Sequence, residues 1–222
     1  MKAFLLSCVF SLKLLLASGQ QVGFSGGYFT NQFYNFIEEG GHTSALYQDG
    51  TGYRFNINLD NIRLDTIALR VSIHFEKFTG ALMTSDGGQG GRSTTNAEIE
   101  KSVLGISLFP INIRIFKELK LSVGGELSYL VGSEVTGSRK ITSISAPGSY
   151  TNLHDNQTAF FKAFTFGVIG RVAYNFKIYQ NYYLIPEYNF YLGLTREFED
   201  TEIYTYSYRN LFMLGIAKRI NR

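Results

Sequence analysis

The chain has 222 residues, 21 Lys and Arg against 18 Asp and Glu, 45% hydrophobic residues, 19 Phe and 15 Tyr with no Trp, and one cysteine. Lys2 and Lys13 fall in an N-terminal leader without acids, which leaves 19 basic residues against 18 acidic ones and offers little to a nucleic acid. Cys8 also lies in the leader, and past it no run of about 18 apolar residues occurs, which excludes disulfide scaffolds, thiolate metal sites, thiol enzymes and membrane helices.

Residues 1–19 read as a secretion signal. Lys2 precedes an apolar stretch through Phe4, Leu5, Leu6, Val9, Phe10 and Leu14 to Leu16, and Ala17, Ser18 and Gly19 supply the small residues that a signal peptidase reads. Too little sequence precedes Cys8 for a lipid-attachment site. Residues 20–222 are then expected to form one domain.

That domain carries eight strand candidates. The first, residues 22–30, contains three glycines. The second alternates Tyr53, Phe55, Ile57 and Leu59 with Arg54, Asn56, Asn58 and Asp60. The third alternates Ile67, Leu69, Val71, Ile73 and Phe75 with Ala68, Arg70, Ser72, His74 and Glu76. Successive side chains of a strand point to opposite faces, so each segment has one apolar and one polar face. The fourth, residues 102–116, changes phase from Leu104, Ile106 and Leu108 to Ile111, Ile113 and Ile115, and Pro110 marks a bulge there. The remaining strands are expected over residues 119–131, 160–176, 182–195 and 204–220. In the last, Asn210 breaks an apolar row of Tyr206, Tyr208, Phe212, Leu214 and Ile216.

The connections alternate in length. Residues 61–66, 117–118 and 177–181 are short turns. Residues 31–51, 80–101, 132–159 and 196–203 are longer, and their Gly, Ser, Thr and Asn content reads as mobile, solvated loops. This alternation, the apolar bands of about 9–11 residues, the even strand number and the aromatics near strand ends together predict an all-β fold. It is an eight-stranded antiparallel up-and-down transmembrane β-barrel with short periplasmic turns and longer extracellular loops.

With this strand rhythm, the Leu108-Phe109-Pro110-Ile111 step and the closing Gly215-Ile216-Ala217 stretch, the chain resembles the small outer-membrane β-barrels of Bacteroidetes-type bacteria, the PorT-like group. The resemblance spans residues 22–220. It implies an outer-membrane address and carries over no catalytic residues. The chain departs from such barrels at its end, Lys218-Arg219-Ile220-Asn221-Arg222, where an aromatic residue often stands.

Parity sends Arg54, Arg70, His74, Glu76, Glu126, Arg171, Glu187 and Arg209 inward. Charges confined in so narrow a lumen are costly unless paired, so the expectation is a closed interior plugged by Arg and Glu pairs. No cofactor and no metal site is expected. His42 and His154 stand in expected loops without a second ligand at metal spacing, and Gly87-Gly88-Gln89-Gly90-Gly91 lacks the Lys-Ser/Thr of a phosphate cradle. Asn156-Gln157-Thr158 matches a glycosylation sequon that has no meaning in a bacterium. Ser72, His74 and Glu76 share one face and are the residue types of an acyl-transfer triad, but their spacing of nearly 7 Å along a strand argues against one.

The function expected is a non-enzymatic structural or interaction scaffold. Its partners would be outer-membrane lipid and lipopolysaccharide, the barrel-assembly machinery and an extracellular partner of the loops, with no nucleic acid. Two alternatives are a narrow transporter or binder of small apolar molecules, with Ile169, Ile185, Leu211 and Met213 as its lumen track, and a soluble lipocalin-like carrier. A lipid hydrolase is a third.

Overall fold

Strict alternation of side chains produces long strands, and long strands form most of the molecule. The computed structural model describes residues 20–36, 43–64, 67–88, 91–143, 148–155, 161–198 and 204–220. The expected leader, residues 1–19, lies outside them, as do His42 and Asn156. The strands are β1 (Gln21–Phe36), β2 (Thr43–Gln48), β3 (Gly50–Leu64), β4 (Ile67–Gly88), β5 (Gly91–Arg114), β6 (Leu119–Ser143), β7 (Ser149–Asp155), β8 (Phe164–Tyr174), β9 (Phe176–Tyr179), β10 (Tyr182–Gly193) and β11 (Tyr204–Arg219).

Eight of these close a ring in the order β1-β3-β4-β5-β6-β8-β10-β11, every neighbour antiparallel. The seam is β1 against β11, paired without a break from Gln21 opposite Arg219 to Phe36 opposite Tyr204. The C-terminal end of β11 is tied on both sides, since Arg219 N donates to Asn181 O at 2.8 Å and Ile220 N to Gln20 O at 2.8 Å. The glycine-rich first segment is therefore a full strand, six residues longer at its C-terminal end than alternation alone suggested.

Along the ring strands the side chains divide by parity. Phe24, Phe55, Ile57, Ile73, Ile106, Leu108, Val123, Phe212, Leu214 and Ile216 stand on the outside, 44–66% exposed. Further aromatics flank this apolar belt, with Phe116, Phe176, Tyr179 and Tyr182 at the short-turn end and Tyr53, Tyr129, Phe164 and Tyr208 nearer the other. So continuous an apolar wall is stable against hydrocarbon and unstable against water.

Pro110 sits at a register shift between Leu108 and Ile111, where β5 changes phase against β6. A second irregularity lies between Leu59 and Ile62, where Asn61 adopts φ 59°, a left-handed conformation that Asn tolerates better than most residues. Asn210 sits on the outer face. Its Oδ1 accepts from Tyr188 Oη at 2.5 Å and its Nδ2 donates to Tyr208 Oη at 2.8 Å. The polar interruption is thus closed by two tyrosine hydroxyls.

The long connections correct the sequence reading. Residues 80–88 and 91–101 are strand and not loop: β4 and β5 stay paired from Ala81 opposite Glu98 to Gly88 opposite Gly91, an arm of about 25 Å at about 3.3 Å per residue. β6 continues beside β5 to Ser143, β2 adds to β4, and β7 adds to β6. The result is a five-stranded flange, β2-β4-β5-β6-β7, standing beyond the barrel. His154 falls in β7, in register with Thr136, and not in a loop. Backbone pairing needs no apolar face in water, so Thr84, Ser93, Thr94, Thr95 and Thr136 extend the sheet where the period-2 apolar signal has stopped. At the other end the expected sixth strand divides, Asn175 separating β8 from β9, which pairs with the start of β10.

Candidate functional site: the charged interior

Among the described residues, the interior holds six buried cations, Arg54, Arg70, Lys101, Lys120, Arg171 and Arg209, and five buried carboxylates, Asp60, Glu76, Glu126 and Glu187 on the ring strands and Glu197 just after β10. All eight charged residues that parity sends inward lie here, in two clusters. Asp60 and Lys120 share their strand faces. Lys101 and Glu197 came from segments read as loops, where alternation assigned no direction.

Arg54 is the centre of the first cluster. Its Nε donates to Asn56 Oδ1 at 2.8 Å, Nη1 to Glu76 Oε1 and Glu126 Oε2, each at 2.8 Å, and Nη2 to Ser107 Oγ at 2.9 Å and His74 Nδ1 at 2.9 Å. All five guanidinium hydrogens have an acceptor. Because arginine only donates, His74 Nδ1 must accept, which puts the imidazole proton on Nε2, 3.7 Å from Glu126 Oε1. Ser107 passes its own hydrogen to Glu126 at 2.8 Å. The second Glu76 oxygen takes Arg209 Nη1, and the Arg209 guanidinium lies 4.1 Å from the Tyr191 ring centroid. Gly105 makes room for the imidazole: a Cβ there would come within 2.3 Å of His74 Nε2.

The second cluster lies toward the short turns. Arg70 donates to Asp60 Oδ2 at 3.0 Å, Asn58 Oδ1 at 2.7 Å and Glu187 Oε2 at 3.3 Å, while Arg171 Nε donates to Glu187. Ser72 donates to Asn58 Oδ1 at 2.8 Å.

An apolar group fills most of the rest of the lumen. Phe29, Phe33, Phe78, Ile99, Val103, Phe161 and Phe198 pack together with Ile169, Leu211 and Met213. Ile185 belongs to a separate small group with Ala173 and Ala217. The four residues considered as a lumen track are thus divided between two packed groups. Gly167 permits this packing, since its Cβ would meet the Tyr191 ring at 2.5 Å. Through the apolar plug passes one ion pair, Lys101 Nζ to Glu197 Oε2 at 2.5 Å, with the ammonium 4.9 Å from the Phe161 ring centroid. Burial pushes the Glu197 carboxyl up, but Lys101 and Arg209 outweigh it and hold the group below the usual carboxylate range.

Two chemistries can be tested on this geometry. His74, Glu76 and Glu126 bring potential metal-ligand atoms within 4.8 Å of one another, but Arg54 and Arg209 already supply the positive charge between the carboxylates. The donor set fits a guanidinium and not an added cation. Ser72, His74 and Glu76 share a face, yet Ser72 bonds Asn58, His74 bonds Arg54, and Glu76 bonds the two arginines. Each of the three is committed to a partner outside the supposed triad.

No protein-family model matches the chain in sequence, and no curated protein does. Among solved structures, the chain is similar to Neisserial surface protein A (NspA), at 12% identity over 91% of this chain and 98% of that one, with a TM-score of 0.44. It is also similar to Ail, the attachment invasion locus protein of Yersinia pestis, at 12% identity over 92% and 100%, TM-score 0.30. A third is the outer membrane protein OprG from Pseudomonas aeruginosa, at 9% identity over 92% and 97%, TM-score 0.38.

Proposed function

We propose that the chain is a non-enzymatic barrel of the bacterial outer membrane, with its short turns in the periplasm and its flange outside the cell, where it serves as an interaction scaffold. The observation that carries the reading is the contrast between the two surfaces of the ring. The outer wall is apolar with aromatic borders, as lipid requires, and the inner one is filled by Arg54, Glu76, Glu126 and Arg209 in mutual hydrogen bonds. A lumen filled in this way favours rigidity over transport, and it leaves the flange as the surface presented to partners. Lipopolysaccharide and the barrel-assembly machinery are the partners that go with this address. The finer kinship, with PorT-like barrels, rests on strand rhythm and the Leu108-Phe109-Pro110-Ile111 step.

The test is fractionation of expressing cells followed by electrophoresis with and without boiling, and conductance in a planar bilayer. The expected result is an outer-membrane band that migrates compactly until heated and opens no steady channel. A soluble periplasmic protein without a mobility shift would favour a carrier instead. Steady single-channel current would remove the closed-lumen reading.

A further inference from the structure

The short-turn end of the barrel is basic. Arg114, Lys117, Lys177, Lys218 and Arg219 are exposed there, with Glu118 as the acid among them. Arg114, Lys117, Lys177 and Arg219, with the one carboxylate Glu118, line a cleft of about 410 Å³, formed where the β5–β6 turn, the β8–β9 break and the end of β11 meet. The cleft is also lined by Asn175, whose side chain is 7% exposed and whose Oδ1 has no hydrogen-bond partner. Aromatic side chains also line it: Phe176, 51% exposed, with Tyr174 and Tyr183.

These features answer to one ligand chemistry. Four cations around a cleft attract a phosphodiester, an orphaned buried carbonyl accepts from a hydroxyl beside that phosphate, and the aromatic lining suits acyl chains at a membrane interface. We propose that this cleft binds the headgroup of an anionic glycerophospholipid of the inner leaflet, phosphatidylglycerol or its dimer, with the phosphate among Arg114, Lys177 and Arg219 and a glycerol hydroxyl on Asn175. The proposal rests on the membrane reading above. It adds a lipid partner on the periplasmic side and assigns the positive C-terminal end of β11 a role in holding it.

The test uses the folded full-length mature chain in detergent, examined by native mass spectrometry with phosphatidylglycerol or phosphatidylcholine added. Each basic residue near an anionic lipid surface contributes about fivefold in affinity. Wild type should retain phosphatidylglycerol over phosphatidylcholine by about tenfold or more. Arg114→Gln with Lys177→Gln and Arg219→Gln should remove that preference, while Arg139→Gln with Lys140→Gln on the flange should leave it. Asn175→Ala should reduce retention of phosphatidylglycerol more than that of phosphatidic acid, which lacks the second glycerol.

Equal retention by wild type and the triple variant, both still showing the heat-dependent mobility shift, would overturn the lipid site and leave the membrane reading intact. Absence of the shift in wild type would instead overturn the membrane reading. Displacement of the lipid by millimolar inorganic phosphate would show a general anion site and overturn the assignment to lipid.

Discussion

Arg54 shows how a single buried residue can determine the state of its surroundings. Two carboxylates and a neutral imidazole are held apart from water by its five donors, so its removal leaves Glu76 with Arg209 alone and Glu126 with the Ser107 hydroxyl, Arg209 Nη1 at 3.8 Å and His74 Nε2 at 3.7 Å. Breaking a buried pair by removing one partner costs about 3–5 kcal/mol. Arg54→Ala is therefore expected to lower the barrel's unfolding free energy by that amount in a urea titration of protein reconstituted in lipid. The inward direction of Arg54 follows from alternation along one strand. Its partnership with Glu126, 72 residues away, does not, because the lateral order and stagger of four strands bring the two together. Asn210 shows the converse: its position on the apolar face is plain in the sequence, but the pair of tyrosine hydroxyls that accommodates it comes from β10 and from two residues back on β11.

At the scale of elements, legibility depends on solvent. Where one face of a strand meets hydrocarbon and the other a packed interior, alternation marks it clearly, as from Tyr53 to Asp60. Where both faces meet water, as from Arg92 to Thr95 in β5 and from Gly137 to Lys140 in β6, polar residues fill both and the same backbone ladder is silent in the sequence. Lys101 and Glu197 were missed for that reason, since each sits where a ring strand passes into segments without an apolar period. Their pair ties the segment after β10 to β5. The folded-state carboxyl of Glu197 is held below its free-chain value, so the stability it contributes is complete above the ordinary carboxylate range and is lost as pH falls through the folded-state value. Glu197→Gln should flatten the acid limb of the stability profile, measured as melting temperature against pH, relative to wild type. The flange is a separate matter: among the described residues, its strands pair with the ring only through the continuing β4, β5 and β6. Replacing residues 83–95 by a two-residue turn is expected to leave the heat-dependent mobility shift unchanged while abolishing binding of whole cells to any surface that wild type recognises.

For the whole molecule, the ring is complete only when β1 has met β11. Deleting residues 204–222 exposes the edges of β1 and β10 together, and unpaired edges in hydrocarbon are prohibitive. Such a chain is expected to show no compact form on an unheated gel and to sediment with aggregates.

The seam also sets the timetable of assembly. Gln21 lies opposite Arg219, so the first strand to leave the ribosome waits for nearly the last. Contacts of such sequence separation are slow to form. The chain must therefore cross the periplasm with its inner charges unneutralised and its belt unshielded, which makes an escort during transit as much a requirement of this fold as the lipid that finally surrounds it.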